Sequence, residues 1–140
     1  MTDAPLSEQN FRASIAKVFG SGTLRSWAKN RTDRLTFLGA AVLGLNSDAS
    51  FSEPEINAAL GSWLKTMGAL DILDHVTLRR YLIDEKLLAR EKNGTHYRVD
   101  KAVFGERFEA GVIGCDVREI VGDAEAERLA RKAAWAKQQA

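Results

Sequence analysis

The chain has 140 residues, of which 45% are hydrophobic and 28% charged, with 2 prolines and 1 cysteine. That length points to a single domain with a core of its own, and the composition excludes collagen, a disulfide scaffold and a disordered tail. The net charge of +1 is too near neutral to mark a polyanion partner by itself.

Residues 7–19 read as a short helix, with Ser7 to cap its first turn and Gly20 to stop it. Phe11, Ile15, Val18 and Phe19 share one face of it. Ser21 and Gly22 break the chain, and Thr23–Asn30 is a polar, basic stretch around Leu24 and Trp27 with no assigned element. Residues 32–45 carry Leu35, Leu38, Val42 and Leu45 at helical spacing, and Phe37, Ala41 and Leu43 widen the stripe, so this helix is expected to be buried on more than one side. Asn46, Ser47 and Asp48 end it, and Phe51 follows between serines as a short extended piece. Ser52-Glu53-Pro54-Glu55 is a capping box with Pro in the first turn. It opens a helix with Ile56, Ala59, Leu60, Trp63, Leu64 and Met67 on one stripe, and Gly68 is its expected stop.

Asp74 is a second cap, for a helix from about His75 to Lys86. Leu87–Lys92 and Thr95–Val99 then flank Asn93-Gly94, a strong hairpin signal because both turn residues take positive φ. Helix, extended piece, helix, helix, hairpin is the order of a winged helix-turn-helix. After residue 100 the pattern weakens: apolar residues from Val103 to Val121 are interspersed with Gly105, Gly111, Gly114 and Gly122, which predicts short elements packed on the domain. Asp123 is expected to cap an alanine-rich helix whose narrow face is Ala126, Leu129, Ala130, Ala133 and Ala136 or Lys137, with Trp135 off that face. The expected fold is mainly α with a small β-hairpin (α+β), a winged helix-turn-helix with extra N- and C-terminal helices. Its parts are an N-terminal helix and basic arm (1–30), the winged-helix domain (31–100) and a C-terminal extension (101–140).

On the helix from His75, Leu78, Tyr81, Leu82 and Glu85 cluster on one side, and Val76, Ile83 and Leu87 on another. That leaves His75, Thr77, Arg79, Arg80 and Lys86 to face outward. In a helix-turn-helix the second helix enters the major groove, where Arg reads guanine and Thr meets phosphate or a thymine methyl. Residues 75–99 hold six basic side chains against three acidic ones, and the hairpin adds backbone contacts. The candidate double-stranded DNA-binding residues are therefore His75, Thr77, Arg79, Arg80, Lys92, Asn93, His96 and Arg98. Arg25, Lys29, Arg31 and Arg34 around Trp27 form a second basic cluster, which either extends that footprint or is a solvated loop with Trp27 in the core. The competing arrangement pairs Arg79 and Arg80 with Asp84 and Glu85, and leaves a protein-docking or dimerisation module that touches no nucleic acid. A continuous positive strip through residues 79, 80, 92 and 98 favours DNA; a broken mosaic favours protein.

Chemistry finds little support. His75 and His96 are the only histidines, and with Asp71 and Asp74 they do not reach a metal ligand set. Cys115 has no partner cysteine or activating base and reads as a buried structural thiol in a reducing cytoplasm. There is no phosphate loop or nucleophile elbow, so no enzyme activity and no cofactor are expected. No apolar run is long enough to span a membrane, and the first residues lack the order of a signal peptide. The C-terminal helix either pairs two copies in a homodimer or docks on its own monomer.

Phe51-Ser52-Glu53-Pro54-Glu55-Ile56-Asn57, then Asp74-His75-Val76-Thr77-Leu78-Arg79-Arg80-Tyr81-Leu82-Ile83-Asp84, and then Leu87 to Arg98 carry a resemblance to a known family. The block resembles a bacterial domain of unknown function often attached to helix-turn-helix regulators. The likeness extends more loosely back to about residue 10. It implies a winged-helix-like fold and a regulatory role, and it implies no catalytic residues. The sequence departs from the fused members in having no separate N-terminal helix-turn-helix, so DNA binding is expected from this domain alone.

Overall fold

The computed structural model describes residues 4–19, 30–70, 72–92 and 94–139. The first helix, α1, runs Glu8–Phe19 and starts as its sequence dictates: Ser7 Oγ accepts the Asn10 amide at 3.1 Å. The expected stop at Gly20 and the stretch 21–29 lie outside the described residues. Helix α2 spans Arg31–Leu43, capped by Asn30 Oδ1 on the Asp33 amide at 2.8 Å. Phe37, Leu38, Ala40, Ala41 and Val42 are all buried, so α2 is covered on several sides, as the width of its stripe predicts. Strand β1 is Ser50–Ser52, and helix α3 is Glu53–Thr66 with both halves of its capping box formed. Gly68 ends α3 at φ +70, its amide bonded to the Lys65 carbonyl and the next amide to Leu64.

Helix α4, His75–Asp84, ends in the same way, but Lys86 takes the left-handed position at φ 63. Strands β2 (Leu88–Arg90) and β3 (His96–Val99) form the hairpin, with Gly94 at φ +72 in its turn. Asn93 lies outside the described residues. The sheet is antiparallel in the order β1-β3-β2, and Phe51 is opposite Tyr97 in β3. Beyond it come α5 (Lys101–Arg107), a short 3₁₀ turn (Ala110–Gly114) and α6 (Val117–Gln139). The fold is mainly helical with one small three-stranded sheet, an α+β arrangement.

One core runs through the molecule. The Phe37 ring stands 5.5 Å from Phe19 and 5.3 Å from Trp63, and Phe108 lies 5.9 Å from Phe11 and 4.5 Å from Phe104. Two glycines in and beside α2 allow close approach: a Cβ on Gly39 would stand 2.5 Å from Phe108 Cζ, and one on Gly44 would stand 2.5 Å from Trp63 Cδ1. Leu6 is tied to the C-terminal region by backbone hydrogen bonds: its N–H donates to the Arg107 carbonyl and its carbonyl accepts from the Glu109 N–H. The short elements after residue 100 contribute Phe104, Phe108 and Val112 to this same core.

The C-terminal helix departs from the expectation at its start. Helix α6 begins at Val117, because Asp116 Oδ1 accepts the Glu119 amide at 3.1 Å and acts as the cap. Gly122 stays helical, and Asp123 lies inside the helix instead of capping it. Only Val117 and Ile120 of α6 are buried, in the turns that pack on α1.

Candidate functional site

Helix α4 is set in place by its cap and its apolar side. Asp74 Oδ1 accepts the Thr77 amide at 2.7 Å, which holds the Asp74 carboxyl below its ordinary value, and Leu78 and Leu82 are buried. The opposite face carries Val76, Arg80, Ile83 and Asp84. On the second flank that the sequence suggested, Leu87 is buried and Ile83 packs partly buried against the core, whereas Val76 is 50% exposed, so the core holds that flank only at the C-terminal end of α4.

Arg79 does not face outward. Its Nη1 donates to Asn57 Oδ1 at 2.7 Å and to Glu53 Oε1 at 3.3 Å, and its guanidinium carbon is 5.5 Å from the centre of the Tyr97 ring. With its side chain 16% exposed, it braces α4 against α3 and the sheet. The pairing with Asp84 and Glu85 is also not what forms, because Glu85 bonds Arg31 across to α2 at 3.2 Å. Arg80 is the exposed cation of the helix, and among the described residues it has no ion-pair partner. His75 and Thr77 are half-buried in the first turn.

The register of the sheet separates the hairpin residues. Tyr97, Val99, Leu88 and Arg90 share the face that meets the helices; Ser50, Ser52, Ala89, His96 and Arg98 share the other. Arg90, absent from the predicted set, donates from Nη2 to the Tyr97 hydroxyl at 2.8 Å and lies 5.3 Å from its ring centre. That hydrogen bond raises the Arg90 pKa. Arg98 is on the outer face, with Nε 3.6 Å from Glu91 Oε1, and Glu91 also accepts from Ser50 Oγ at 2.9 Å. His96 Nδ1 is 2.8 Å from Thr95 Oγ1. Lys92 is exposed in the turn.

Of the expected residues, Arg80 and Lys92 thus remain exposed cations, whereas Arg79 is used inside the fold and Arg98 is paired on the far side of the sheet. The positive strip through 79, 80, 92 and 98 is broken into a mosaic with Asp84 and Glu91. In the second basic cluster, Arg31 is paired with Glu85, Arg34 is exposed on α2, and Arg25, Trp27 and Lys29 lie outside the described residues.

Neither Glu53 nor Asn57 announced its role in the sequence. Their spacing of four on one helix was the available signal, since it presents both to a single neighbour. Among the described residues no group of three His, Cys, Asp or Glu is placed to hold a metal, and no helix is long and apolar enough to cross a membrane. Cys115 is buried, and burial pushes its thiol pKa up, away from reactivity.

The model of a family described as an uncharacterized protein conserved in bacteria, DUF2087, matches residues 23–99. That span runs from the segment before α2 to the end of β3. No curated protein and no solved structure matches the chain.

Proposed function

The chain belongs to the DUF2087 family of bacterial proteins, and from that premise we propose that it is a winged helix-turn-helix protein that binds double-stranded DNA as a transcriptional regulator. The observation that carries this reading is the connectivity: α2, β1, α3, α4, β2, β3, with the sheet in the order β1-β3-β2. In that arrangement α4 is the second helix of the helix-turn-helix and the β2–β3 turn is the wing. Arg80 is offered to the groove, Thr77 and His75 flank it at the start of α4, and Lys92 in the turn meets the backbone. Arg79 leaves the contact set because its guanidinium is held inside the fold, and Arg98 because it stands on the other face of the sheet beside Glu91.

A protein-docking module is the second reading, and a specific observation favours it. The outward face of α4 carries the half-exposed Val76 and the exposed Asp84, an apolar side chain on the same face as a charge that repels phosphate. Titration of a labelled random-sequence duplex at several salt concentrations separates the two. DNA binding gives affinity of about micromolar order at low salt, falling as salt rises with a log–log slope of about 0.9 per phosphate contact. Arg80→Ala with Lys92→Ala then removes most of it. A duplex that stays unbound at low salt overturns the DNA reading and leaves the docking module.

A further inference from the structure

Beyond Arg128 α6 leaves the domain. No residue between 122 and 139 is buried, and from Leu129 onward none is even half-buried, so about 16 Å of helix stands in solvent. Two of the large apolar side chains exposed on the described surface are here, Leu129 at 52% and Trp135 at 63%. Gly122, Ala126, Leu129, Ala133 and Ala136 follow one another at spacings of four and three, the repeat of a helix-pairing seam. Trp135 is on another side of the helix, in line with the turns that pack on the domain.

The charges beside the seam identify what covers it. Asp123 and Glu125 flank it in the first half, and Lys132 and Lys137 flank it in the second. Beyond Arg118 the helix has the same polarity: Glu119, Asp123, Glu125 and Glu127 come before Arg128, Arg131, Lys132 and Lys137. The helix dipole accounts for charges in the first and last turns only, and those at 123–132 are interior. A second helix running antiparallel brings each flank against the same flank of its partner, so Asp123 meets Lys137 and Glu125 meets Lys132. A parallel pair would instead bring Lys132 towards Lys137. The intrahelical pair of Glu125 with Arg128, at 3.9 Å, is long and exposed and is readily exchanged.

We propose that α6 is the interface of a homodimer, in which two copies pair antiparallel through the Ala126–Leu129–Ala133–Ala136 seam. The small side chains allow the helix axes to approach to about 8 Å, at the close end of helix packing. The proposal rests on α6 alone and stands whether or not α4 binds DNA.

The test is the mass of the full chain by sedimentation or light scattering across a concentration series. The expected result is a dimer of the 15.4 kDa chain that dissociates on dilution. Leu129→Glu yields a monomer with an unchanged circular dichroism spectrum and melt, since that side chain supports no part of the core. Lys132→Glu raises the dimer Kd about tenfold, because it reverses an exposed pair on both sides of a two-fold axis. Adding Glu125→Lys restores the affinity, which a parallel pairing does not predict. A chain that is monomeric throughout the series, a Leu129→Glu variant that stays dimeric, or a double charge exchange that fails to recover the affinity overturns the proposal.

Discussion

Replacing Arg79 with Ala separates a bracing residue from a DNA-reading one. The substitution removes a charged hydrogen bond to the half-buried Asn57, at 2.7 Å, a contribution of about 1.5–2 kcal/mol. The guanidinium against the Tyr97 ring, 5.5 Å from its centre, adds about 0.5–1 kcal/mol. The ion pair with Glu53 counts for little, about 0.5 kcal/mol at most, because Glu53 is 60% exposed. The expected loss is about 3 kcal/mol, which for a chain of this length lowers Tm by roughly 9 °C. Arg80→Ala, at an exposed position on the same helix, changes stability by less than about 0.5 kcal/mol. Urea titration and thermal melts of both variants measure the difference. An Arg79→Ala protein as stable as the parent refutes the assignment of Arg79 to the fold and returns it to the candidate binding surface.

Other consequences follow from particular contacts. Burial raises the Asp33 carboxyl pKa, but hydrogen bonds from Ser14 (2.8 Å), Lys17 (3.0 Å) and Asn30 (2.9 Å) outweigh it, so the folded value lies below the unfolded one. The stability this carboxylate contributes is therefore present above the unfolded pKa and is lost as pH falls through the folded one; Asp33→Asn costs about 1–2 kcal/mol at pH 7 and flattens the acid limb of a urea-midpoint profile. Thr36 Oγ1 is buried without a partner, and Thr36→Val is expected to raise stability by about 1 kcal/mol in the same titration. Gly39→Ala drives a methyl into the buried Phe108 ring and costs about 1–3 kcal/mol, seen as a lower urea midpoint with an unchanged m-value.

The sequence made much of the fold legible, because its signals are local and agree with one another. The capping box at Ser52, the Asp74 cap and the Asn93-Gly94 signal each depend on residues within a few positions, and α3, α4 and the strands β2 and β3 lie where those signals place them. The start of α6 was misread for a local reason too. Asp116 and Asp123 are both competent caps, and Gly122 between them looks like a break, but a glycine costs a helix only about 1 kcal/mol. The site was less legible, because the fate of a charged side chain depends on distant neighbours. Periodicity placed Arg79 and Arg80 together on the exposed side, yet one reaches Asn57, 22 residues away, and the other reaches nothing described. Strand alternation alone does not say which face of β3 meets the helices; burial of Tyr97 decides it and sends His96 and Arg98 to the other.

The broken strip also constrains how DNA binding could work. With Arg79 engaged in the fold and Arg98 on the other face of the sheet, one copy offers Arg80, Lys86 and Lys92 as exposed cations on α4, just past its end and in the turn. Counting each of these three cations as neutralising one phosphate, the log–log salt slope is about −2.7, whereas two copies acting together give about −5.4. A two-fold dimer presenting both α4 helices to half-sites about 34 Å apart is how helix-turn-helix proteins reach regulatory affinity. The pairing through α6 and the DNA reading therefore make a joint prediction: Leu129→Glu, which leaves α4 untouched, halves the salt slope and weakens binding to a duplex long enough for both copies. An unchanged slope in a demonstrably monomeric variant refutes the coupling of the two, and leaves α6 pairing for a purpose other than DNA.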